Sequence, residues 1–121
     1  MGKYALKEVK TGWKFNLLAT NGQVIGTSEV YTTEAAARNG IASVAKNAPE
    51  ANLEDQTLDP PGEAKNPKFQ VYIDKAGEYR FRLTAKNGEP ILASEGYKQK
   101  ASALNGVESV RKNADGEIAE A

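Results

Sequence analysis

The chain has 121 residues, a length that suits one domain, and its 40% hydrophobic and 26% charged content is ordinary for a folded protein. Its 16 basic and 16 acidic residues cancel, so it lacks the positive excess usual in non-specific nucleic-acid binders. With no cysteine and no histidine, it has no disulfide, thiol nucleophile, zinc–thiolate site or Ser-His-Asp triad, and the commonest general base is missing.

In chain order, residues 4–9 read as a first strand and Thr11-Gly12 as the turn after it. Trp13-Lys14-Phe15-Asn16-Leu17 alternates apolar and polar, the period of a half-buried strand. Asn21-Gly22 follows, a hairpin signal because both residues tolerate positive φ, and residues 23–28 form the third strand, with the face of Ile25 left open. A helix is predicted over 33–46, with Thr32 as N-cap and Glu34 favouring the helix dipole. Ala37, Ile41, Val44 and Ala48 are its apolar stripe, and Asn47 suits a left-handed cap. A short strand is predicted over 52–58. Residues 59–67, with Pro60-Pro61-Gly62, read as a linker.

The same series then returns. Placed over residues 79–114 without gaps, residues 13–48 match at Phe15 and Phe81, Leu17 and Leu83, Ala19 and Ala85, and Asn21-Gly22 and Asn87-Gly88. Upstream, Tyr4, Leu6 and Gly12 match Phe69, Val71 and Gly77 if Glu78 is an insertion. The second copy therefore predicts strands over 69–73, 79–83 and 90–94, a helix over 99–112 with Asn113 as its cap, and a last strand over 117–120. The whole is read as one domain, 1–121: repeat 1 over about 3–58, the linker over about 59–67 and repeat 2 over about 68–120. Two copies are too few for an open solenoid, so they are expected to pair about a pseudo-twofold axis within a monomer.

Gly77-Glu78-Tyr79-Arg80-Phe81-Arg82-Leu83, Asn87-Gly88, Ser94-Glu95-Gly96-Tyr97, Asn105-Gly106 and Val110-Arg111-Lys112-Asn113-Ala114 resemble the YegP-like family of small, mostly bacterial proteins of uncharacterised function. The first copy departs from that pattern, with Trp13 in place of Tyr and Val30 in place of the Gly before Tyr31. The resemblance implies an α+β fold, a tandem duplication of a β3-α-β unit forming one shared antiparallel sheet. The helices lie on one face, and the C-terminal strands are exchanged. It implies no activity.

Three sets of residues are candidates for function. Ser28-Glu29 with Tyr31 recurs as Ser94-Glu95 with Tyr97; the paired carboxylates suggest acid/base chemistry or a cation site, and the alternative is a joint between strand and helix. Asn39-Gly40 recurs as Asn105-Gly106 inside the helices, where Gly costs about 1 kcal/mol relative to Ala, so a close approach of the helix to the sheet or to its twin is expected there, with each Asn packed against the partner copy or contacting a ligand in a groove between the two helices. Lys14, Asn16, Arg80, Arg82 and Lys86 are expected on the open sheet face as a candidate binding surface. Glu50, Glu54, Asp55 and Asp59 lack the spacing of a calcium loop and are read as solvated. The myristoylation motif fails at Leu6, residues 1–10 have no signal-like apolar run, and no stretch approaches the ~20 apolar residues of a membrane span, so a cytoplasmic location is expected. The leading expectation is a non-enzymatic interaction module without cofactor or metal. A weak nucleic-acid binder using the basic face is the second, and an enzyme using Glu29 or Glu95 with Tyr31 or Tyr97 is the third.

Overall fold

Alternation in the sequence becomes a division between the two faces of one sheet. The computed structural model describes residues 2–58 and 60–120; Met1, Asp59 and Ala121, which fall within the predicted domain, linker and acidic run, lie outside the described residues. The first repeat comprises β1 (Lys3–Val9), β2 (Gly12–Leu18), β3 (Val24–Thr27), α1 (Glu34–Asn47), a 3-10 turn (Ala48–Glu50) and β4 (Asn52–Asp55). The second comprises β5 (Lys68–Ile73), β6 (Tyr79–Thr84), β7 (Pro90–Ala93), α2 (Lys100–Asn113) and β8 (Glu117–Glu120).

The strands form one sheet in the order β4-β5-β6-β7-β3-β2-β1-β8. Exchanging the repeats reverses that order into itself, which places a pseudo-twofold axis between β3 and β7. Those two strands meet at one pair, Thr27 and Ala93. Each repeat gives its last strand to the other: β4 lies parallel to β5 and β8 parallel to β1, while the other neighbours are antiparallel, so the shared sheet is mixed. No helix among the described residues is long and apolar enough to cross a membrane.

Tyr4, Leu6, Phe15 and Leu17, with Phe69, Val71, Phe81 and Leu83, line one face and are buried in a single core spanning both repeats. The helices cover that face, α1 over β1, β2 and β7 and α2 over β3, β5 and β6. Burying a side chain of this size is worth roughly 1.5–3 kcal/mol, and a one-residue slip of β2 would expose Phe15 and Leu17 together, so the core fixes the register. A bulge settles the face of the third strands. Leu17 pairs with Gly26 and Leu18 with Val24, which leaves Ile25 unpaired and buried in the core; Ile91 is placed likewise.

Local chemistry differs from the sequence reading at three joints. Thr33, not Thr32, caps α1, its Oγ1 accepting the Ala36 N–H at 3.1 Å. Asn47 and Asn113 do not take the left-handed conformation. Instead each side-chain amide donates back into its own last turn, to Ser43 O at 2.7 Å and Ser109 O at 2.8 Å, tying the helix end to the turn before it. In the hairpins only the glycines have positive φ, Gly22 at 87° and Gly88 at 86°. Gly22 N–H donates to Ala19 O and Ala19 N–H to Gln23 O, both at 2.9 Å, a three-residue loop closed by a glycine bulge. Asn21 and Asn87 accept the N–H two residues on.

Gly40 and Gly106 mark where the helices come nearest the sheet. A β-carbon on Gly40 would lie 2.8 Å from Tyr31 Cζ and 3.2 Å from Phe15 Cε2; one on Gly106 would lie 2.7 Å from Phe81 Cε2 and 3.0 Å from the Tyr97 hydroxyl. Tyr31 stacks on Phe15 and Tyr97 on Phe81, so each phenol is wedged between sheet and helix.

Candidate binding surface

The helices occupy one face of the sheet, and the other is open. On the first repeat's half, Lys7 stands opposite Lys14, Ala5 opposite Asn16 and Lys3 opposite Leu18. On the second, Tyr72 stands opposite Arg80, Gln70 opposite Arg82 and Lys68 opposite Thr84. These are the same six sites under the pseudo-twofold, with different chemistry.

The second half satisfies itself. Arg80 Nε donates to Asp74 Oδ2 at 2.6 Å, and this bond holds the Asp74 carboxyl below the usual carboxylate range. Arg80 also donates to Ser94 O at 3.2 Å. Arg82 Nε donates to Gln70 Oε1 at 2.6 Å, and its guanidinium lies 4.9 Å above the Tyr72 ring. Glu54, only 4% exposed, accepts from Lys68 Nζ at 2.7 Å, Gln70 Nε2 at 2.8 Å, Gln56 Nε2 at 2.6 Å and the Ala64 N–H at 3.0 Å. Burial pushes its carboxyl up, but the Lys68 ammonium and the other donors outweigh that and hold it at about 2. Glu54 was read as solvated; the linker folds back over β4, brings the Ala64 amide to it, and buries it. Asp55 is likewise engaged, with Lys100 at 2.6 Å.

The first half is not satisfied. No carboxylate of the described residues lies within 4 Å of the Lys3, Lys7 or Lys14 ammonium groups. Lys7 and Lys14 are cross-strand neighbours of like charge, an arrangement that destabilises a sheet. Beside them, the side-chain oxygen of Asn16 is buried and accepts no hydrogen bond among the described residues.

The structure thus brings Lys14, Asn16, Arg80 and Arg82 to the open face but not Lys86, which corrects that part of the sequence reading. β6 ends at Thr84 after a register shift, and Lys86 lies in the following turn, facing α1. Lys3, Lys7 and Tyr72 belong to the face and were missed, although the alternation of β1 and β5 carries the signal.

A shallow groove of about 430 Å³ crosses the face at the axis, above Thr27 and Ala93, and brings together Ser28, Glu29, Ser94, Glu95 and Arg80. Ser28 Oγ accepts the Phe15 N–H at 2.9 Å and donates to Glu29 O at 2.7 Å. Ser94 does the same for Phe81 and Glu95 at 2.9 and 2.8 Å. Glu29 and Glu95 are exposed. The hydroxyls of Tyr31 and Tyr97 point to the other side, at the helix glycines, and burial followed by the nearby Glu29 or Glu95 raises both phenols above their ordinary pKa. Asn39 and Asn105 are exposed on the helices, away from this groove.

The model of a family described as a domain of unknown function, DUF1508, matches residues 9–55 and again residues 74–120. The chain belongs to the DUF1508 family. Among similar proteins, a UPF0339 protein of Mannheimia succiniciproducens is 47% identical over 115 residues, 94% of this chain and 88% of the relative. The solution structure of yegP from E. coli, a protein described as of unknown function, matches with a TM-score of 0.80 at 28% identity, over 98% of this chain and 91% of that one. A UPF0339 protein of Agrobacterium fabrum is 59% identical over 49 residues, 40% of this chain but 79% of the relative, so that relative is about one repeat long. Because one DUF1508 template fits both repeats, the contrast between the two halves of the open face is a divergence within a single design. Asp74, which neutralises Arg80, has Val9 as its counterpart; Tyr72 has Lys7, and Gln70 has Ala5.

Proposed function

We propose that the chain is a non-enzymatic binding module whose contact surface is the first-repeat half of the open face, centred on Lys7, Lys14 and Asn16, and that its partner is an acidic peptide or protein segment. The observation that carries this reading is the asymmetry between two halves built on one template. Where the second repeat spends its cations on Asp74, Glu54 and Gln70, the first leaves two opposed lysines without an acid and an amide oxygen without a donor. Carboxylates laid across Lys7 and Lys14 would relieve their repulsion, and a backbone N–H would satisfy Asn16.

Other features support binding over catalysis. The repeated serines are occupied by backbone groups, and the tyrosine hydroxyls lie against Gly40 and Gly106 of the helices. Nucleic acid is disfavoured because the open face has one aromatic ring, Tyr72, and Arg82 covers one side of it, which leaves no platform for successive bases.

The test is a titration of ¹⁵N-labelled protein with an acidic decapeptide of Glu and Asp and, separately, with mixed-sequence RNA. Saturable amide shifts confined to β1 and β2 with the peptide, lost in Lys7→Glu/Lys14→Glu, are expected. A response to RNA alone would replace this reading with the nucleic-acid one, and no response on β1 and β2 to either would overturn it.

A further inference from the structure

The open face leaves two residues singled out in the sequence, Asn39 and Lys86, without a role, and the fold places them together. A groove of about 360 Å³ runs between α1 and the β6–β7 turn of the other repeat, lined by Asn39, Ala42, Ser43, Lys46, Asn47 and the turn residues 85–87. The five helical residues fall three and four apart and so share one stripe of α1. No lining residue is acidic, and neither lysine has a partner within ion-pair distance among the described residues.

The duplication supplies an internal control. The pseudo-twofold maps this groove onto α2 and the β2–β3 turn, where Asn105, Ser109, Lys112, Asn113 and Asn21 match residue for residue. Two positions differ. Ala42 has Glu108 as its counterpart, and Glu108 pairs with Arg111 at 3.2 Å. Lys86 has Thr20, whose hydroxyl donates to Asn113 Oδ1 at 3.4 Å. On the α1 side an acid is gone, a cation has been added, and the Oδ1 of Asn47 accepts no hydrogen bond among the described residues. Both changes move the charge in the same direction.

We propose that this groove binds the phosphate group of a small phosphomonoester. Lys46 and Lys86 are the point charges for the dianion, and the side-chain amides of Asn39 and Asn87, which donate to nothing else among the described residues, reach its remaining oxygens. The C-terminal pole of α1 opposes an anion with about half an elementary charge, which the two lysines outweigh. The turn comes from the second repeat and the helix from the first, so the site exists only where the two meet.

The experiment titrates the full labelled chain with inorganic phosphate and with ribose 5-phosphate, against ribose as control, at ionic strength held constant with chloride. Saturable shifts at the amides of Asn39, Ser43, Asn47, Lys86 and Asn87 are expected with both phosphates and not with ribose. Installing the counterpart residues, Ala42→Glu with Lys86→Thr, should weaken both phosphates at least tenfold and leave the spectrum elsewhere unchanged. The inference is overturned if phosphate shifts fail to saturate, if they spread over lysines of the whole surface, or if the double variant responds as the parent does. Lys7→Glu/Lys14→Glu should leave this titration unaltered, which separates it from binding on the open face.

Discussion

Leu92 fills the volume that a side chain on Gly26 would need. A β-carbon built on Gly26 would sit 2.5 Å from Leu92 Cδ2 and 2.6 Å from its Cγ. The two residues occupy equivalent positions in the two repeats and face each other across the pseudo-twofold, so a knob in one copy enters a hole in the other. Identical repeats would have two holes or two knobs there. Gly26→Leu should destabilise by more than the roughly 1–3 kcal/mol typical of overpacking, and Leu92→Gly by about 3–5 kcal/mol through cavity loss and backbone entropy. The reciprocal double variant should recover at least half of the summed loss. Urea midpoints of the four proteins check this, and strictly additive losses would show that the two positions are not coupled.

Gly40 is held by the phenol of Tyr31. Gly40→Ala gains about 1 kcal/mol in helix propensity but forces its methyl against the Tyr31 ring and Phe15, and a net loss of about 1–3 kcal/mol is expected. The Tyr31 hydroxyl is the nearest atom, so Tyr31→Phe should restore part of the stability of Gly40→Ala. Thermal denaturation of the single and double variants reads the difference, and a stabilised Gly40→Ala would contradict the contact.

Glu54 predicts the shape of the acid limb. Its carboxyl sits at about 2 in the folded chain, below its ordinary value near 4.5. The stability it contributes is therefore complete above the unfolded value and is lost as pH falls through that value toward 2. Between pH 5 and 2, the loss from this group should be on the order of 2 kcal/mol. Glu54→Gln should be less stable at pH 7 and flatter over that window. Urea unfolding of both proteins at four or five pH values measures it, and parallel acid limbs would remove Glu54 as the cause.

Lys7 and Lys14 predict effects of opposite sign on stability and binding. Replacing one by Glu turns a like-charge pair into an opposite-charge one and should stabilise the free chain by about 0.2–1 kcal/mol at low salt. The same change should weaken an acidic partner. Denaturation and titration of Lys7→Glu together check this, and a destabilised variant would mean that the pair is already neutralised.

Much of the fold was legible because the duplication printed it twice. Phe15 and Leu17 recur as Phe81 and Leu83, and apolar alternation with a helical stripe in both copies leaves one covered face for the sheet. What local pattern could not give was contact made across the chain. The burial of Glu54 depends on a linker that folds back, and nothing in its own neighbourhood signals it. Lys86 follows the alternation of β6 by two residues, but the strand has ended there. The open-face candidates were half legible: Lys14 and Asn16 follow from alternation, whereas the engagement of Arg80 and Arg82 needed the register that brings Asp74 and Gln70 beside them.

The exchanged end strands are unequal in time. β4 finds β5 across a short linker, so that contact can form while the chain is still emerging from the ribosome. β8 lies against β1, and Lys3 must wait for Glu117 before its edge is covered. Until β8 has been made, β1 is an edge strand with Tyr4 and Leu6 on its inner side, a template for any other chain nearby. Loss of β8 would make that exposure permanent, so a chain cut just before Glu117 would carry a standing site for aggregation.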